Sequence, residues 1–347
     1  MRAVLFEDVG KLTMGDYPEP AVQDPGDVVV KVTTAAICGS DLHLLEGRIP
    51  GMRPGSVIGH EFVGEIVDAG SEVKKFRIGD RVVGSFLISC GHCWFCERGE
   101  FNNCDQMWIL GYGMFTGDLD GSQAELVRIP GADLNLHAVD AALSDEQALF
   151  AGDILTTGAY IADRAGIRKG DTVAIIGAGP VGIFSLMAAS TYKPSEIFMV
   201  DMAEDRLKLA EQAGATPVDA SKVNPVVEIQ RRTGDRGADV VIECVGLPEP
   251  FTTALNAARA GGTVAVIGVH SEMSYDFPLG EVWRRGITIV NGASCNVQGH
   301  WSQVLEHVKS GAIDPTIIIS HTLPLEDALH GYEMFSRREA MKVVLKP

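Results

Sequence analysis

The chain has 347 residues and a formal net charge of −17 at pH 7. This length suits two domains of ordinary size. The acidic balance argues against a nucleic-acid partner, because phosphate binding needs a basic face, and against an anionic membrane surface. Residues 1–8 become charged too early for a signal peptide, so we expect a cytoplasmic protein.

Residues 172–192 carry no charged side chain and are long enough to cross a bilayer. However, Gly177, Gly179, Pro180 and Gly182 interrupt this stretch. Glycine and proline at such close spacing break a continuous helix and mark a turn. The stretch therefore predicts a strand, a tight turn and a helix, and no membrane partner is expected.

Short apolar and β-branched runs, separated by glycine-rich turns, fill the first part of the chain. They predict strands over residues 3–6, 28–32, 57–67 and 75–83. Short strands with frequent glycines are typical of a barrel-like β domain. A helical region over residues 145–162 is expected to lead out of this domain.

Side chains that can carry chemistry first gather between residues 38 and 61. Cys38 offers a thiolate, His60 an imidazole and Glu61 a carboxylate, and zinc prefers these ligand types. Ser40 and His43 follow the thiol closely and can carry protons. The alternative is a buried cysteine beside a core histidine, and this stretch alone leaves that alternative open.

A second cluster consists of cysteines in the pattern C-x2-C-x2-C-x7-C, formed by Cys90, Cys93, Cys96 and Cys104. Four thiolates complete a tetrahedral zinc site and leave no position for a substrate, so the predicted role is structural. The competing interpretation is an iron–sulfur run, but such a run ends in Cys-Pro after a three-residue gap, unlike this one. His92 is not expected to bind the metal, because the four cysteines already fill the site.

A dinucleotide fingerprint lies at Gly177-Ala178-Gly179-Pro180-Val181-Gly182. It follows a predicted buried strand, residues 172–176, and precedes a predicted helix, residues 183–189, which is the context that makes the pattern specific. Gly177 permits the tight turn, Gly179 lets the backbone approach a pyrophosphate, and Gly182 lets the helix pack on the strand. Pro180 and Val181 lie at the N-terminus of this helix. Free amide groups at a helix N-terminus can bind the phosphates.

The choice between NAD and NADP is indicated by the next strand, residues 196–201, which ends at Asp201. A carboxylate there can accept hydrogen bonds from the adenosine ribose and would repel the additional phosphate of NADP. The sequence therefore predicts NAD. Arg206 leaves the alternative open, because its guanidinium can serve a phosphate.

Strands and helices then alternate, which predicts a doubly wound parallel sheet over residues 154–294. The expected helices are residues 203–212, 223–233 and 248–260, and the expected strands are residues 238–244, 263–268 and 287–290. Residues 295–347 predict helices over 297–310 and 325–337 and a closing strand over 342–345. This C-terminal segment is expected to return to the first domain.

In this combination of motifs the chain resembles the zinc-dependent alcohol dehydrogenases of the medium-chain dehydrogenase/reductase family. The resemblance rests on residues 38–43, 59–61, 90–104, 153–158 and 177–182 with Asp201. It implies an α/β fold with a GroES-like, β-rich catalytic domain at residues 1–153 and a Rossmann domain with a doubly wound parallel sheet. It also implies an active site in the cleft between the two domains.

The resemblance assigns roles to individual residues. Cys38, His60 and Asp153 would bind the catalytic zinc, although the alternative interpretation of Asp153 is a helix cap. Glu61 would sit beside the metal as a possible further ligand, and Asp41 would orient His60. Ser40 and His43 would take the alcohol proton to solvent. The remaining implied positions contact the cofactor: Thr157, Val269 and Gly292 near the nicotinamide, and Lys342 as a candidate for the pyrophosphate charge.

The implied activity is reversible oxidation of an alcohol, secondary by analogy with bacterial relatives that carry Asp at position 153, to a ketone or aldehyde. The implied cofactors are NAD and two zinc ions per chain, and the implied assembly is a homotetramer, with a dimer as the alternative. A polyol or amino-alcohol dehydrogenase of the sorbitol or threonine type shares most of these motifs. The remote alternative is a non-catalytic NAD-binding protein.

Overall fold

The computed structural model of the protein describes residues 1–114, 117–270, 274–292 and 294–347. Within these ranges the strands are β1 (Arg2–Asp8), β2 (Lys11–Asp16), β3 (Val28–Ile37), β4 (Ser56–Val57), β5 (Glu61–Ala69), β6 (Arg81–Gly84), β7 (Leu87–Ile88), β8 (Trp108–Ile109), β9 (Leu126–Ile129), β10 (Leu136–Ala138), β11 (Thr172–Ile176), β12 (Glu196–Asp201), β13 (Thr216–Asp219), β14 (Ala238–Glu243), β15 (Ala258–Val266), β16 (Thr288–Asn291), β17 (His321–Pro324) and β18 (Val343–Lys346).

The α-helices of the same ranges are α1 (Gly39–Leu45), α2 (Ala132–Asn135), α3 (Asp145–Leu149), α4 (Ile154–Arg164), α5 (Pro180–Thr191), α6 (Glu204–Gln212), α7 (Pro225–Arg232), α8 (Pro248–Ala257), α9 (Leu279–Arg285), α10 (Val297–Lys309) and α11 (Ala328–Ser336). Short 3-10 helices occupy Cys96–Arg98, Phe101–Asn103, Phe150–Gly152, Pro315–Ile318 and Leu325–Asp327. None of these helices has both the length and the apolar character needed to cross a membrane.

The chain divides into two compact units, and the first comprises residues 1–156 and 296–347. Its largest sheet has the order β10-β6-β5-β3-β18-β17, and β9 also pairs with β3. Two pairings position the site described below: Ala36 of β3 lies opposite Glu61 of β5, and Val343 of β18 lies opposite Ile37. The end of the chain thus lies beside the strand that leads into Cys38.

The second unit comprises residues 157–295. Its sheet has the order β13-β12-β11-β14-β15-β16, and every neighbouring pair is parallel. All five residues of β11 are buried, as expected for a central strand covered on both faces. The predicted doubly wound parallel sheet is confirmed, with the strand order reversing between β11 and its neighbour β14, where such sheets bind ligands.

Several boundaries differ from the prediction. The strand expected over residues 57–67 is divided into β4 and β5, because the chain adopts a left-handed conformation at Gly59 (φ +92°). The helix expected over residues 248–260 ends at Ala257, since Ala258 is extended and opens β15. Of the strand expected over residues 75–83, only residues 81–83 lie in a strand, as part of β6 (Arg81–Gly84).

The sequence analysis also missed several elements, among them β13, α9 and β17. β13 contains Pro217 and lies at the edge of its sheet, where proline is tolerated. The two tail helices and the closing strand are present as α10, α11 and β18, each within a few residues of its predicted bounds.

Candidate functional site

Cys38 is placed where β3 gives way to the helix α1. It has an extended backbone and caps α1, and the Asp41 carboxylate reaches back to accept a hydrogen bond from the Cys38 N–H at 2.9 Å. This reciprocal arrangement satisfies amide groups that an isolated helix start leaves without partners. The local sequence therefore fixes the thiol and the carboxylate in one turn of chain.

His60 follows the left-handed turn at Gly59 and precedes the first residue of β5. A side chain at Gly59 would collide with Gln123, since a Cβ there would lie 2.3 Å from Gln123 Cγ. Glycine is thus required both by the backbone conformation and by the close packing. His60 is 2% exposed, and its ring lies between two buried carboxylates.

Asp153 follows the 3-10 helix Phe150–Gly152 and precedes α4. Its Oδ2 lies 3.2 Å from His60 Nε2 and 3.7 Å from Cys38 Sγ, and the residue is 7% exposed. The three predicted ligands of the catalytic zinc are therefore brought together from distant parts of the chain. One ligand atom from each lies within 4.8 Å of the others.

The donor set and spacing of this trio fit a zinc ion. Zinc–ligand bonds of about 2.0–2.3 Å in a tetrahedron separate neighbouring ligand atoms by about 3.3–3.8 Å. The separations involving Asp153 Oδ2 agree with this range within a few tenths of an ångström. One thiol, one imidazole and one carboxylate also leave a fourth position for a substrate, as catalytic zinc sites require.

Asp41 holds the ring of His60 from the side opposite the ligand trio. Its Oδ1 lies 3.2 Å from His60 Nδ1, while His60 Nε2 faces Asp153. Burial lowers the pKa of His60, but the negative charge of Asp41 and contacts with both carboxylates outweigh burial and raise the pKa well above its ordinary value. A carboxylate at Nδ1 favours the tautomer that presents Nε2 to a metal.

Glu61 and Lys342 form a buried ion pair beside the trio. Lys342 Nζ contacts Glu61 Oε2, and the two side chains are 1% and 0% exposed. Burial raises the pKa of Glu61 to about 7, and the nearby negative charge of Asp153 acts in the same direction against the lowering effect of Lys342. Glu61 Oε1 has no hydrogen-bond partner among the described residues. Glu61 therefore lies close enough to Asp153 and His60 for their charges to affect its pKa, and its place beside a metal stays a prediction.

The expected pyrophosphate contact of Lys342 is at odds with this placement. The side chain is 1% exposed, and its ammonium is directed at Glu61 and lies 5.6 Å from the centre of the Phe150 ring. A buried ammonium already engaged with a carboxylate is not available to a phosphate at the surface. We therefore correct this assignment: Lys342 forms a buried ion pair with Glu61.

Ser40 and His43, the predicted proton carriers, lie on α1. Ser40 Oγ is 3.4 Å from His60 Nε2, so its hydroxyl borders the trio. His43 is half-buried, and its Nδ1 has no hydrogen-bond partner among the described residues. Burial and the positive charge of Arg48 lower the pKa of His43. A neutral imidazole with a free nitrogen can accept a proton.

Two aromatic side chains beside His60 were missed by the sequence analysis. The ring centres of Phe86 and Tyr112 lie 6.1 and 5.9 Å from that of His60. The Tyr112 hydroxyl donates a hydrogen bond of 3.4 Å to the carbonyl oxygen of Ser40. Neither residue belongs to a recognisable motif, and no sequence signal distinguishes them from ordinary core aromatics.

The four cysteines of residues 90–104 also come together, with one sulfur from each within 4.8 Å of the others. Cys90 and Cys96 sulfurs are 4.0 Å apart, close to the separation of about 3.8 Å in a tetrahedral Zn–S4 site. Cys104 Sγ accepts hydrogen bonds from the backbone N–H groups of Cys90 and Gln106. Hydrogen bonds from other backbone N–H groups lower the pKa of Cys93 to about 6. Such donors stabilise the thiolate of Cys93, the form that binds metal, whereas burial raises the pKa of Cys96 and Cys104. His92 is exposed and contacts the Cys90 carbonyl oxygen.

In the second unit, the predicted fingerprint forms the turn between β11 and α5. Gly177 has φ +100°, and a Cβ at Gly182 would lie 1.8 Å from the Gly177 carbonyl oxygen, so no side chain fits there. A Cβ at Gly179 would meet only Arg206 Nη1, at 3.9 Å. The backbone at Gly179 is therefore open to a ligand. Pro180 and Val181 begin α5.

Three other predicted cofactor residues, Asp201, Val269 and Gly292, lie at or after the carboxyl ends of strands in this sheet. Asp201 ends β12, and its carboxylate accepts hydrogen bonds from the N–H groups of Ala178, Met202 and Ala203. Val269, 52% exposed, and Gly292 follow β15 and β16. Thr157 lies in α4, which precedes β11.

Comparisons with known proteins agree with this geometry. Residues 24–139 match the family model of the alcohol dehydrogenase GroES-like domain, and residues 180–310 match that of the zinc-binding dehydrogenases. The chain is 34% identical to the zinc-type alcohol dehydrogenase-like protein AdhB of Bacillus subtilis, and the alignment covers 100% of both chains.

Two solved structures show the same fold. Alcohol dehydrogenase TADH from Thermus sp. ATN1 has a TM-score of 0.96 and 42% identity, and the match covers 100% of this chain and 99% of that one. A zinc-binding dehydrogenase from Sinorhizobium meliloti, bound to NADP, has a TM-score of 0.88 and 30% identity over 100% of this chain and 99% of its own.

The chain therefore belongs to the zinc-dependent alcohol dehydrogenases of the medium-chain dehydrogenase/reductase family. It is an oxidoreductase that acts on alcohols with zinc and a nicotinamide cofactor. The predicted fold class and family are confirmed, and a non-catalytic binding protein is not favoured.

Proposed function

We propose that this enzyme reversibly oxidises small secondary alcohols with NAD, using zinc held by Cys38, His60 and Asp153. The observation that carries the proposal is the buried trio with one ligand atom of each within 4.8 Å of the others. Asp153 as the third ligand is the feature shared, by resemblance, with bacterial secondary-alcohol dehydrogenases. Phe86 and Tyr112 beside His60 add an apolar wall, which suits alkyl groups better than the hydroxyls of a polyol.

Each residue of the trio's surroundings has a defined task in this proposal. When bound, zinc supplies the Lewis acidity that lowers the pKa of an alcohol hydroxyl, and NAD supplies the ring that accepts hydride. Asp41 holds His60 with Nε2 directed at the ligand group. The Ser40 hydroxyl, at the border of the trio, takes up the proton that the alcohol releases, and His43 passes it on towards solvent.

The preference for NAD rests on Asp201. Its carboxylate is held by three backbone N–H groups at the end of β12, next to the fingerprint turn. A 2′-phosphate bound at this position would meet a fixed negative charge. Arg206, whose Nη1 approaches Gly179, is the cation that we assign to the pyrophosphate.

A second zinc at Cys90, Cys93, Cys96 and Cys104, with a structural role, completes the proposal. The sulfur spacing and the N–H donors around Cys104 and Cys93 support it. The homotetrameric assembly and the cytoplasmic location that the resemblance implies stay predictions. Gel filtration with light scattering tests the first of them directly.

The test of the activity is NADH formation from a panel of alcohols at alkaline pH, with NADP and chelator-treated enzyme in parallel. The panel contains 2-propanol, 2-butanol, ethanol, benzyl alcohol, sorbitol and threonine. We expect the secondary alcohols to react fastest, and kcat/KM to favour NAD over NADP by at least about 100-fold, the effect of roughly 2.7 kcal/mol. Turnover of sorbitol or threonine alone would contradict the substrate class, and equal use of NADP would contradict the role of Asp201.

A further inference from the structure

The carboxylate of Asp41 is anchored on the side that faces away from His60. Its Oδ2 accepts hydrogen bonds from Cys38 N–H at 2.9 Å, from Gln123 Nε2 at 3.1 Å and from the Tyr332 hydroxyl at 3.2 Å. Its Oδ1 is directed at His60 Nδ1 and has no other partner among the described residues. The three donors to Oδ2 therefore determine where Oδ1 points.

Gln123 can adopt only one orientation of its amide group in this network. Its Nε2 donates to the Ala36 carbonyl oxygen and to Asp41, both at 3.1 Å, while its Oε1 accepts from the Tyr332 hydroxyl at 2.8 Å. Exchanging the nitrogen and the oxygen would place the amide oxygen against two acceptors. Gln123 also fills the space left by Gly59, so it supports both Asp41 and the turn that precedes His60.

Tyr332 belongs to α11, 291 positions from Asp41 along the chain. Its single hydroxyl hydrogen lies between Gln123 Oε1 and Asp41 Oδ2, and the residue is 3% exposed. A buried network of this kind has a defined geometry only when each member is satisfied. Removal of the hydroxyl leaves Gln123 Oε1 as a buried acceptor without a donor and takes one of the three donors from Asp41 Oδ2, so the carboxylate is held less firmly.

We propose that Tyr332 is a positioning residue of the catalytic metal site, acting with Gln123 through Asp41 on His60. The inference rests on the proposed function of Cys38, His60 and Asp153 as zinc ligands. Outer partners of a metal-binding histidine fix the orientation of its ring and tune its affinity for the metal. The C-terminal helix α11 thus contributes to the metal site without any contact with a ligand of the metal.

The test compares Tyr332→Phe with Tyr17→Phe, a matched control in the same unit. Tyr17 donates a hydrogen bond of 2.8 Å to Asp120, so both variants remove one hydroxyl from a tyrosine–aspartate pair. The measurements are zinc affinity by competition with a chromophoric chelator, the d–d absorption of the Co²⁺-substituted enzyme, and kcat and KM for alcohol and NAD. Thermal unfolding of each variant reports the purely structural cost.

We expect Tyr332→Phe to weaken zinc binding at the catalytic site by about tenfold, the lower end of the effect of outer partners. The Co²⁺ absorption bands of the catalytic site, which has Cys38 as its one sulfur ligand, should shift. The kcat should fall, while KM for NAD stays unchanged. Tyr17→Phe should leave all of these at their wild-type values. Gln123→Met should reproduce the effects of Tyr332→Phe. The double variant should bind zinc no more weakly than the more strongly affected single variant, because both residues act through Asp41.

Wild-type affinity and Co²⁺ bands in both Tyr332→Phe and Gln123→Met would overturn the inference. If Tyr332→Phe does not fold, the same measurements on Gln123→Met decide the matter. The failure of the proposed function gives a different result. In that case the wild-type enzyme binds no zinc that depends on Cys38, and zinc content is equal in wild type and Cys38→Ser.

Discussion

Cys38 and Asp153 of the catalytic trio are 115 positions apart in the chain, whereas Cys90 and Cys104 of the cysteine lobe are 14 positions apart. The trio is buried and surrounded by a hydrogen-bonded network of side chains. The lobe is half-exposed, with Trp94 at 56% exposure, and backbone N–H groups are its main hydrogen-bond donors. The fold thus arranges the trio, while in the lobe we expect the metal to arrange the chain.

This difference predicts opposite consequences of metal loss. A site that the fold holds together should lose activity and keep its structure when one ligand is removed. A site that organises a loop with little core of its own should lose stability first. The following predictions test this contrast, from the largest expected effect to the smallest.

Cys38→Ser is expected to reduce alcohol oxidation by at least about 1,000-fold, because Lewis-acid stabilisation is worth several kcal/mol. Zinc content should fall from two ions per chain to one, and the midpoint of thermal unfolding should change little. Metal analysis, kcat and calorimetry on one preparation check these points together. Full activity in this variant would show that Cys38 does not bind the catalytic metal.

Lys342→Met is expected to destabilise the protein by about 3–5 kcal/mol, because it leaves the Glu61 carboxylate buried without its cation. The matched control is Lys346→Met, four positions on, where the pair with Glu146 is about one-third exposed. An exposed pair of this kind contributes about 1 kcal/mol or less. Urea unfolding of both variants measures the contrast, and equal stability of the two would refute the importance of the buried pair.

Cys93→Ser is expected to lower the midpoint of thermal unfolding by roughly 10 °C, since loss of a structural metal removes a few kcal/mol. Zinc content should again fall to one ion per chain, but kcat at 25 °C should stay within about threefold of wild type. Cys38→Ser serves as the reciprocal control, because it loses activity and keeps stability. The contrast between the two sites breaks down if Cys93→Ser behaves like Cys38→Ser in both measurements.

The parts of the site that were predictable depend on short spacing. The cysteine pattern at 90–104 and the glycines at 177–182 identify their structures because neighbouring residues meet by local geometry alone. Cys38 and Asp41 belong to the same class, since one helix start brings them together. The family resemblance then supplied His60 and Asp153, which no local pattern connects.

The parts that were not predictable depend on contacts between distant segments. Lys342 was assigned to a phosphate because its sequence position shows a charge and nothing about burial. Pairing of β18 with β3 places it against Glu61 instead. Gln123, Tyr332, Phe86 and Tyr112 have no motif, and their roles depend on the strands and helices that carry them to His60 and Asp41.

The sequence by itself determined the two-part organisation, the parallel sheet with its cofactor turn, and the four-cysteine candidate metal site. Those properties depend on periodicity and on spacings of a few residues, which local backbone geometry converts directly into structure. Only the tertiary structure decided the charge environment of the catalytic site: the Lys342–Glu61 pair and the network from α11 to His60. Burial and long-range pairing determine those energies, and neither is visible in a linear pattern.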